Sequence, residues 1–398
     1  MSTSGRARFR SERTRNFTES VIREMTRLAL AAGAVNLAQG FPDFAAPAAV
    51  KEAAKAAIDA EHNQYTITWG TPALRRAIAG YYDRRYRLTL DPDREVTVWC
   101  GSTEAMVASL LATTNPGEEV IVFEPYYENY GPDTWLCGAE RRLVRLEPPR
   151  WGFDPDALRR AFNSRTKAII LTNPHNPTGK VFTRAELELI AELCQEHDVL
   201  AIADEIYEHI LYDGATHTPL MSLPGMRDRT ILVNSMSKTF SVTGWRVGWM
   251  LAAPDLSDSV RKVHDFLTVN SPAPMQQAAV MALGLDNAFF ADLSGHYRAR
   301  RDLLFEALAA APGFAPIRPA GAYYIMADIS AFGFGDDVAF ARDLMERGGV
   351  ACVPGSSFFE NSRDGAHLVR FCFCKKEETL NEAARRIAAY AVTESAAR

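Results

Sequence analysis

The chain is short of several things that would place it in other classes. No apolar run approaches the roughly 20 residues that a membrane-spanning helix needs. The N-terminal MSTSGRARFRSERTRNF is basic and has no apolar centre, unlike a secretory signal. It reads as a short arm on a soluble cytoplasmic protein. Positive charge is not in excess: 44 Lys and Arg stand against 49 Asp and Glu, a formal net charge of −5. Phosphate backbones call for a basic face, so nucleic acid is not an expected partner. The six cysteines, Cys100, Cys137, Cys194, Cys352, Cys372 and Cys374, form no CxxC pair. They read as buried thiols of a reducing compartment. His62, His209, His217 and His264 show no metal-ligand spacing. No internal repeat or low-complexity segment is visible.

What is present is a long alternation of short apolar runs and amphipathic stretches. The runs are Glu95 to Cys100, Glu119 to Glu124, Lys167 to Thr172, Val199 to Asp204, Thr230 to Ser235 and Arg246 to Ala252. Between two of them, RAELELIAELCQEHD repeats its apolar residues with a helical period at Leu187, Ile190, Ala191 and Cys194. Two further helices are expected over Pro47 to Ala60 and Thr71 to Arg85, with Pro72 near the start of the second, where its missing N–H costs little. This alternation predicts an α/β fold with a mostly parallel sheet between helices. Near residue 290 the pattern changes to that of a smaller α+β unit. The expected division is an arm and part of the small domain at 1–47, a large domain at 48–288, and the small domain at 289–398.

Open α/β sheets bind ligands beyond the carboxyl ends of their strands, and the residues following each run carry chemistry. Asp204 ends one run, and Tyr207 follows. A buried strand-end acid is costly unless a cation meets it. Asn173-Pro174-His175-Asn176-Pro177-Thr178-Gly179 makes a fixed turn that can hold an amide against a ligand oxygen. Lys238 follows Thr230 to Ser235, between small hydroxyl residues; a desolvated lysine forms imines and moves protons. Ser235 and Ser237 are candidates for anion binding, and Arg246 lies a little further on. Gly101-Ser102-Thr103 joins a strand to a helix start, the arrangement of a phosphate cup. Tyr127 can stack on a planar ring. Taken singly, each has an ordinary explanation: a capping acid, a solvated lysine, a well-formed turn, a core aromatic. Taken together they meet the needs of one cofactor: an acid for a ring nitrogen, an amide and a phenol for a ring oxygen, a lysine for an aldehyde, a cup for a phosphate.

In these segments the chain resembles the class I/II aminotransferases of the fold-type I pyridoxal-5′-phosphate (PLP) enzymes. The resemblance runs from about Asn36 to Lys376 and is strongest in S-x-S-K-T-F-S-x-T-G-W-R-V-G at Ser235 to Gly248. NPHNPTGKVF, ADEIYE, NLAQGFPDF, NQYT and VRFCF support it. Within the superfamily these segments are most similar to the kynurenine, glutamine and methionine aminotransferases and the cysteine-S-conjugate β-lyases. The resemblance implies a large domain with a mostly parallel mixed sheet plus a small α+β domain, and a homodimer with shared active sites. It implies Lys238 as the Schiff-base lysine and proton shuttle, Asp204 on the pyridine nitrogen, Tyr207 and Asn176 on the ring oxygen, and Tyr127 stacked on the ring. Gly101, Ser102, Thr103, Ser235 and Arg246 would hold the phosphate, with Tyr65 of the second subunit. Arg370 would clamp the substrate α-carboxylate, helped by Gly40 and Asn176.

Two departures stand out. Thr103 occupies a place where kynurenine-type members often carry an aromatic residue, and Val269 or Asn270 falls where they bring an aromatic from the second subunit. These departures imply a different side-chain pocket. The expected activity is ping-pong transfer of an amino group from a neutral or aromatic L-amino acid to a 2-oxo acid. The rivals are β-lyase or other PLP chemistry of secondary metabolism, and an aminotransferase-like regulator. About 35 residues precede NLAQGFPDF, too few for the helix-turn-helix module of the last. His175, Trp245 and Trp249 read as structural, Arg141, Arg142 and Arg145 as surface charge, and Glu104 as a helix cap or a residue facing the cofactor.

Overall fold

The computed structural model describes residues 11–14 and 19–396. The expected arm therefore lies largely outside the described residues. After a two-residue strand, β1 (Val35–Asn36), seven strands build the central sheet: β2 (Val96–Trp99), β3 (Glu119–Glu124), β4 (Glu140–Arg145), β5 (Thr166–Thr172), β6 (Leu200–Asp204), β7 (Thr230–Ser235) and β8 (Gly248–Leu251). Their order is β2-β8-β7-β6-β5-β3-β4. Six run parallel; β8 is antiparallel to both of its neighbours. Strands β2, β3 and β7 are buried at every position. That is why they read as unbroken apolar runs: helices cover both faces of the sheet, so neither face can be polar.

Local signals fix the helices. Thr183 and Glu186 form a reciprocal capping box on helix Arg184–Glu196. Thr71 caps Pro72–Tyr86 by accepting from the Leu74 N–H at 3.3 Å. The helix foreseen near residue 50 spans Ala48–Asp59.

The edge strand β4 was not among the expected strands. Its sequence, ERRLVR, lacks an apolar run because it alternates at the sheet margin. Its arginines are more than surface charge. Arg142 Nε donates to the buried Glu119 Oε2 at 2.7 Å, and Arg145 lies 3.4 Å from Glu124. Arg141 pairs with Glu360 from the C-terminal part of the chain.

A 24-residue helix, Asn287–Ala310, leads out of the large sheet. Beyond it lie β9 (Ala315–Ile317), β10 (Tyr324–Asp328), β11 (Val350–Ala351), β12 (Val353–Pro354) and β13 (Leu368–Cys372). Four of these form an antiparallel sheet in the order β12-β13-β10-β9. β11 instead pairs in parallel with β1, and the Cys372 N–H donates to Leu37 O at 2.8 Å. The chain start is thereby stitched to its end, and residues 38–41 are carried across the mouth of the large sheet. Among the described residues, no helix is long and apolar enough to cross a membrane.

Candidate active site

A cavity of about 470 Å³ opens at the carboxyl edge of the parallel strands, roofed by Gln39, Gly40 and Phe41. β6 delivers Asp204 to its floor, where the side chain is 4% exposed. Asp204 Oδ2 accepts from the Tyr130 hydroxyl at 2.8 Å, and that hydroxyl also meets Thr172 Oγ1 at 2.6 Å. Asp204 Oδ1 is buried without a partner among the described residues. Burial pushes this carboxyl up to about 6, against the Tyr130 and Ile206 hydrogen bonds and the charge of Lys238. A buried carboxylate oxygen that the protein leaves unpaired suits a cationic donor.

β7 delivers Lys238 on the short helix Met236–Thr239. Its Nζ donates to Gly40 O at 3.4 Å and lies 5.8 Å from the centre of the Tyr323 ring. Burial brings this amine down to about 8, so a usable fraction is unprotonated near neutrality. The turn after β5 brings Asn176, fixed because Asn173 Oδ1 accepts from the Phe182 N–H at 3.1 Å and the Asn173 N–H donates to Asp204 O at 3.0 Å. His175 is structural, as expected: buried, with Nδ1 at 2.7 Å from Thr178 Oγ1, and pushed down to about 3 by burial.

β2 delivers the cup. Gly101 has φ 80° and starts helix Ser102–Thr113, whose free N–H groups and dipole favour an anion. A side chain at Gly101 would strike the Arg246 guanidinium. Arg246 reaches this edge differently from the rest. Because β8 runs against the other strands, its beginning lies at the edge where they end. Arg246, left-handed at φ 55°, precedes β8, and it donates to Thr243 O at 3.0 Å and Cys100 O at 3.4 Å. From β13 comes Arg370, fully buried. It donates through Nη1 to Asn176 Oδ1 at 2.7 Å and through Nη2 to Ala38 O at 3.0 Å. Its Nε has no partner among the described residues, and the rings of Tyr324 and Phe358 flank the guanidinium at 4.2 and 4.7 Å.

Of the residues singled out in the sequence, Gly40, Ser102, Thr103, Tyr127, Asn176, Asp204, Tyr207, Lys238, Arg246 and Arg370 line this one cavity. Gly101 adjoins it through Arg246. Ser235 does not line it: its hydroxyl is buried and accepts from the Ser237 N–H at 3.2 Å, while Ser237 faces the cavity. Tyr65 is 84% exposed and away from the cavity, and Val269 is 44% exposed. Glu104 turns inward, as a cap: Oε2 accepts from the Cys100 N–H at 2.8 Å and Oε1 meets His264 Nδ1 at 2.8 Å.

The residues suit a phosphorylated pyridine aldehyde. An unpartnered buried acid, a lowered lysine and a glycine-started helix with an arginine beside it are matched to a ring nitrogen, an aldehyde and a phosphate. Comparison with known proteins agrees. The family model for aminotransferase class I and II matches residues 32–387. The chain belongs to this family. The probable N-succinyldiaminopimelate aminotransferase DapC of Mycobacterium tuberculosis is 42% identical over 389 residues, covering 95% of this chain and 98% of that protein. Kynurenine–oxoglutarate transaminase 3 of Mus musculus is 37% identical, covering 94% and 88%. The solved structure of N-succinyldiaminopimelate aminotransferase from Mycobacterium tuberculosis superposes with a TM-score of 0.93 at 41% identity, over 96% of this chain and 99% of that one. The protein is thus a PLP-dependent enzyme of fold type I that moves amino groups between amino and 2-oxo acids.

Four residues of this aminotransferase site escaped the sequence reading. Tyr130 holds Asp204, and Asp133 stands beside it, pushed up to about 8 by burial and by the Asp204 charge. Tyr324 hydrogen-bonds the Tyr207 hydroxyl at 2.9 Å, and Tyr323 donates to Gly40 O at 2.7 Å. The signals were faint but real. Tyr127 and Tyr130 share a three-residue spacing, and the adjacent Tyr323 and Tyr324 follow a glycine at the start of β10.

Proposed function

We propose that Lys238 holds PLP as a Schiff base and afterwards shuttles the proton that transamination moves. The observation that carries this is the lowered Lys238 amine in one cavity with the unpartnered Asp204 oxygen. When bound, the cofactor supplies an electron-withdrawing ring that accepts the electrons of the substrate Cα–H bond. Asp204 Oδ1 would keep the ring nitrogen protonated, with Tyr130 holding Asp204 in place. Tyr207, positioned by Tyr324, and Asn176 would donate to the ring oxygen, and Tyr127 would cover the ring. The Ser102–Thr113 helix start, Ser237 and Arg246 hold the phosphate. The Arg370 guanidinium receives the α-carboxylate, which orients the Cα–H bond toward Lys238 Nζ. Lys238 Nζ would take the proton from Cα and hold it for its return at the end of the transfer.

In this reading a neutral or aromatic L-amino acid and a 2-oxo acid react in turn, by a ping-pong course, in the cytoplasm. The relatives named for kynurenine and N-succinyldiaminopimelate support amino-acid donors as a class. The active unit is a homodimer. Phe266, 92% exposed, with Leu267, Val269, Tyr65 and Ile67, leaves apolar surface that a second copy would cover, and Tyr65 then serves the partner's phosphate. The same reading keeps the division at 47/48 and 288/289, supported by the pairing of β1 with β11. The test is direct. Purified protein should show the visible absorbance of lysine-bound cofactor, and an amino donor should bleach it without any oxo acid present. Lys238→Ala should lose turnover by roughly 10⁴-fold or more; turnover retained in that variant sinks the proposal. Pyruvate and ammonia released from an S-aryl cysteine without an acceptor would favour the lyase.

A further inference from the structure

We propose that the mouth of the cavity is a second anion site, built on Arg23, which takes the distal carboxylate of a dicarboxylic substrate. The inference rests on the reading of Arg370 as the α-carboxylate clamp. Four cations line the cavity: Arg23, Lys238, Arg246 and Arg370. Three have work in the proposed reaction, with the aldehyde, the phosphate and the α-carboxylate. Arg23 has none, and its side chain has no hydrogen-bond or ion-pair partner among the described residues.

The acids of the cavity do not use it up. Asp204 faces the ring nitrogen. Asp133, raised to about 8, is mainly neutral at physiological pH. Glu128 accepts a hydrogen bond from the Ser20 hydroxyl and makes no ion pair with Arg23.

Arg23 is also held where it is wanted. Ser20 caps helix Val21–Ala32, with its oxygen receiving the Arg23 N–H at 3.3 Å. The same hydroxyl donates to Glu128, which also lines the cavity, so the residue before the first helical turn is pinned to the cavity rim. Ile22, 8% exposed, also lines the cavity and offers an apolar surface suited to methylenes. A cavity lined by two arginines and an apolar side chain is one that a carbon chain with a carboxylate at each end would match.

The experiment is equilibrium binding to the cofactor-loaded protein, read by calorimetry without turnover. The probes are glutarate, adipate and pimelate, each against the monocarboxylate of the same carbon number. We expect one dicarboxylate to bind more tightly than its match. In Arg23→Gln that ligand should weaken by about tenfold to a hundredfold, its match by less than about threefold. Arg23→Lys should restore part of the loss. If no dicarboxylate outbinds its match in the parent protein, or if both weaken equally in Arg23→Gln, the site does not exist. Absence of transamination with every donor would defeat the proposed function and leave this binding result standing on its own.

Discussion

Two buried acids four residues apart, Asp204 and Glu208, have opposite surroundings. Glu208 is 3% exposed and every part of its carboxylate is met. Tyr81 donates to Oε1 at 2.9 Å and Asn234 at 2.8 Å, Tyr86 donates to Oε2, and His209 lies 3.4 Å away. Burial alone would raise it, but His209, His217 and Tyr86 outweigh that and bring it down to about 2. Asp204, equally buried, keeps one oxygen bare and is pushed up to about 6. The fold can satisfy a buried carboxylate at this depth and does so at Glu208. The bare oxygen of Asp204 is therefore best understood as reserved for a ligand.

The contrast can be broken by substitution. The largest effect is expected for Asp204→Asn, which should reduce kcat by about 10² to 10³-fold while the cofactor-free protein loses no stability, measured by urea unfolding. Equal loss of stability would show that Asp204 is structural. Glu208→Gln should behave the other way. It leaves buried hydroxyls facing a weaker acceptor, so stability should fall by about 3 kcal/mol with kcat changed by no more than a few-fold. Tyr130→Phe lies between: it removes a bond to Asp204 Oδ2, and the expected cost is about 1 kcal/mol of stability with kcat lowered by about tenfold.

Acidity sharpens the contrast further, because the two acids bend the pH–stability curve of the cofactor-free protein in opposite senses. Asp204 stays protonated in the native state after its counterpart in the unfolded chain has ionised. It therefore withdraws stability as pH rises from about 4 to about 6. Glu208 is ionised in the native state at pH values where the unfolded chain is protonated, so it contributes stability above its ordinary 4.5 that is lost as pH falls toward about 2. Denaturation curves of Asp204→Asn and Glu208→Gln against the parent should each flatten one of these slopes. The mildest effect concerns Lys238. Capture of PLP by cofactor-free protein should quicken as pH rises and level off above about 8; a rise continuing to the ordinary lysine range would show that burial does not tune this amine.

Much of this was legible in the sequence, for a physical reason. Residues that follow buried parallel strands are marked by the strands themselves, so Asp204, Lys238, Asn176 and the Gly101–Thr103 cup could be placed without coordinates. Arg370 was legible only through resemblance, since it lies inside a buried strand of the second sheet and no local pattern separates it from a structural arginine. Tyr130, Asp133 and Tyr324 were missed because they act on other side chains, and such contacts leave only faint traces in the spacing of residues. β4 stayed hidden because a charged edge strand has no apolar run to notice. Ser235 and Ser237 illustrate the resolution limit: adjacent hydroxyls two residues apart were both candidates, and only the backbone decides that the first caps and the second faces the cavity.

The reversed strand has a last consequence. β7 ends and β8 begins side by side, with Ser235 opposite Gly248. Residues 236–247 are thus the closed tip of an antiparallel hairpin, and Lys238 and Arg246 both sit on it. The loop is also bonded within itself, Phe240 N–H to Met236 O at 3.0 Å and Val242 N–H to Ser237 O at 3.2 Å, so its chain freedom is spent before any ligand arrives. The amine and the guanidinium are therefore pre-ordered as one unit, and the binding energy of the phosphate need not be spent on folding the segment that carries the lysine.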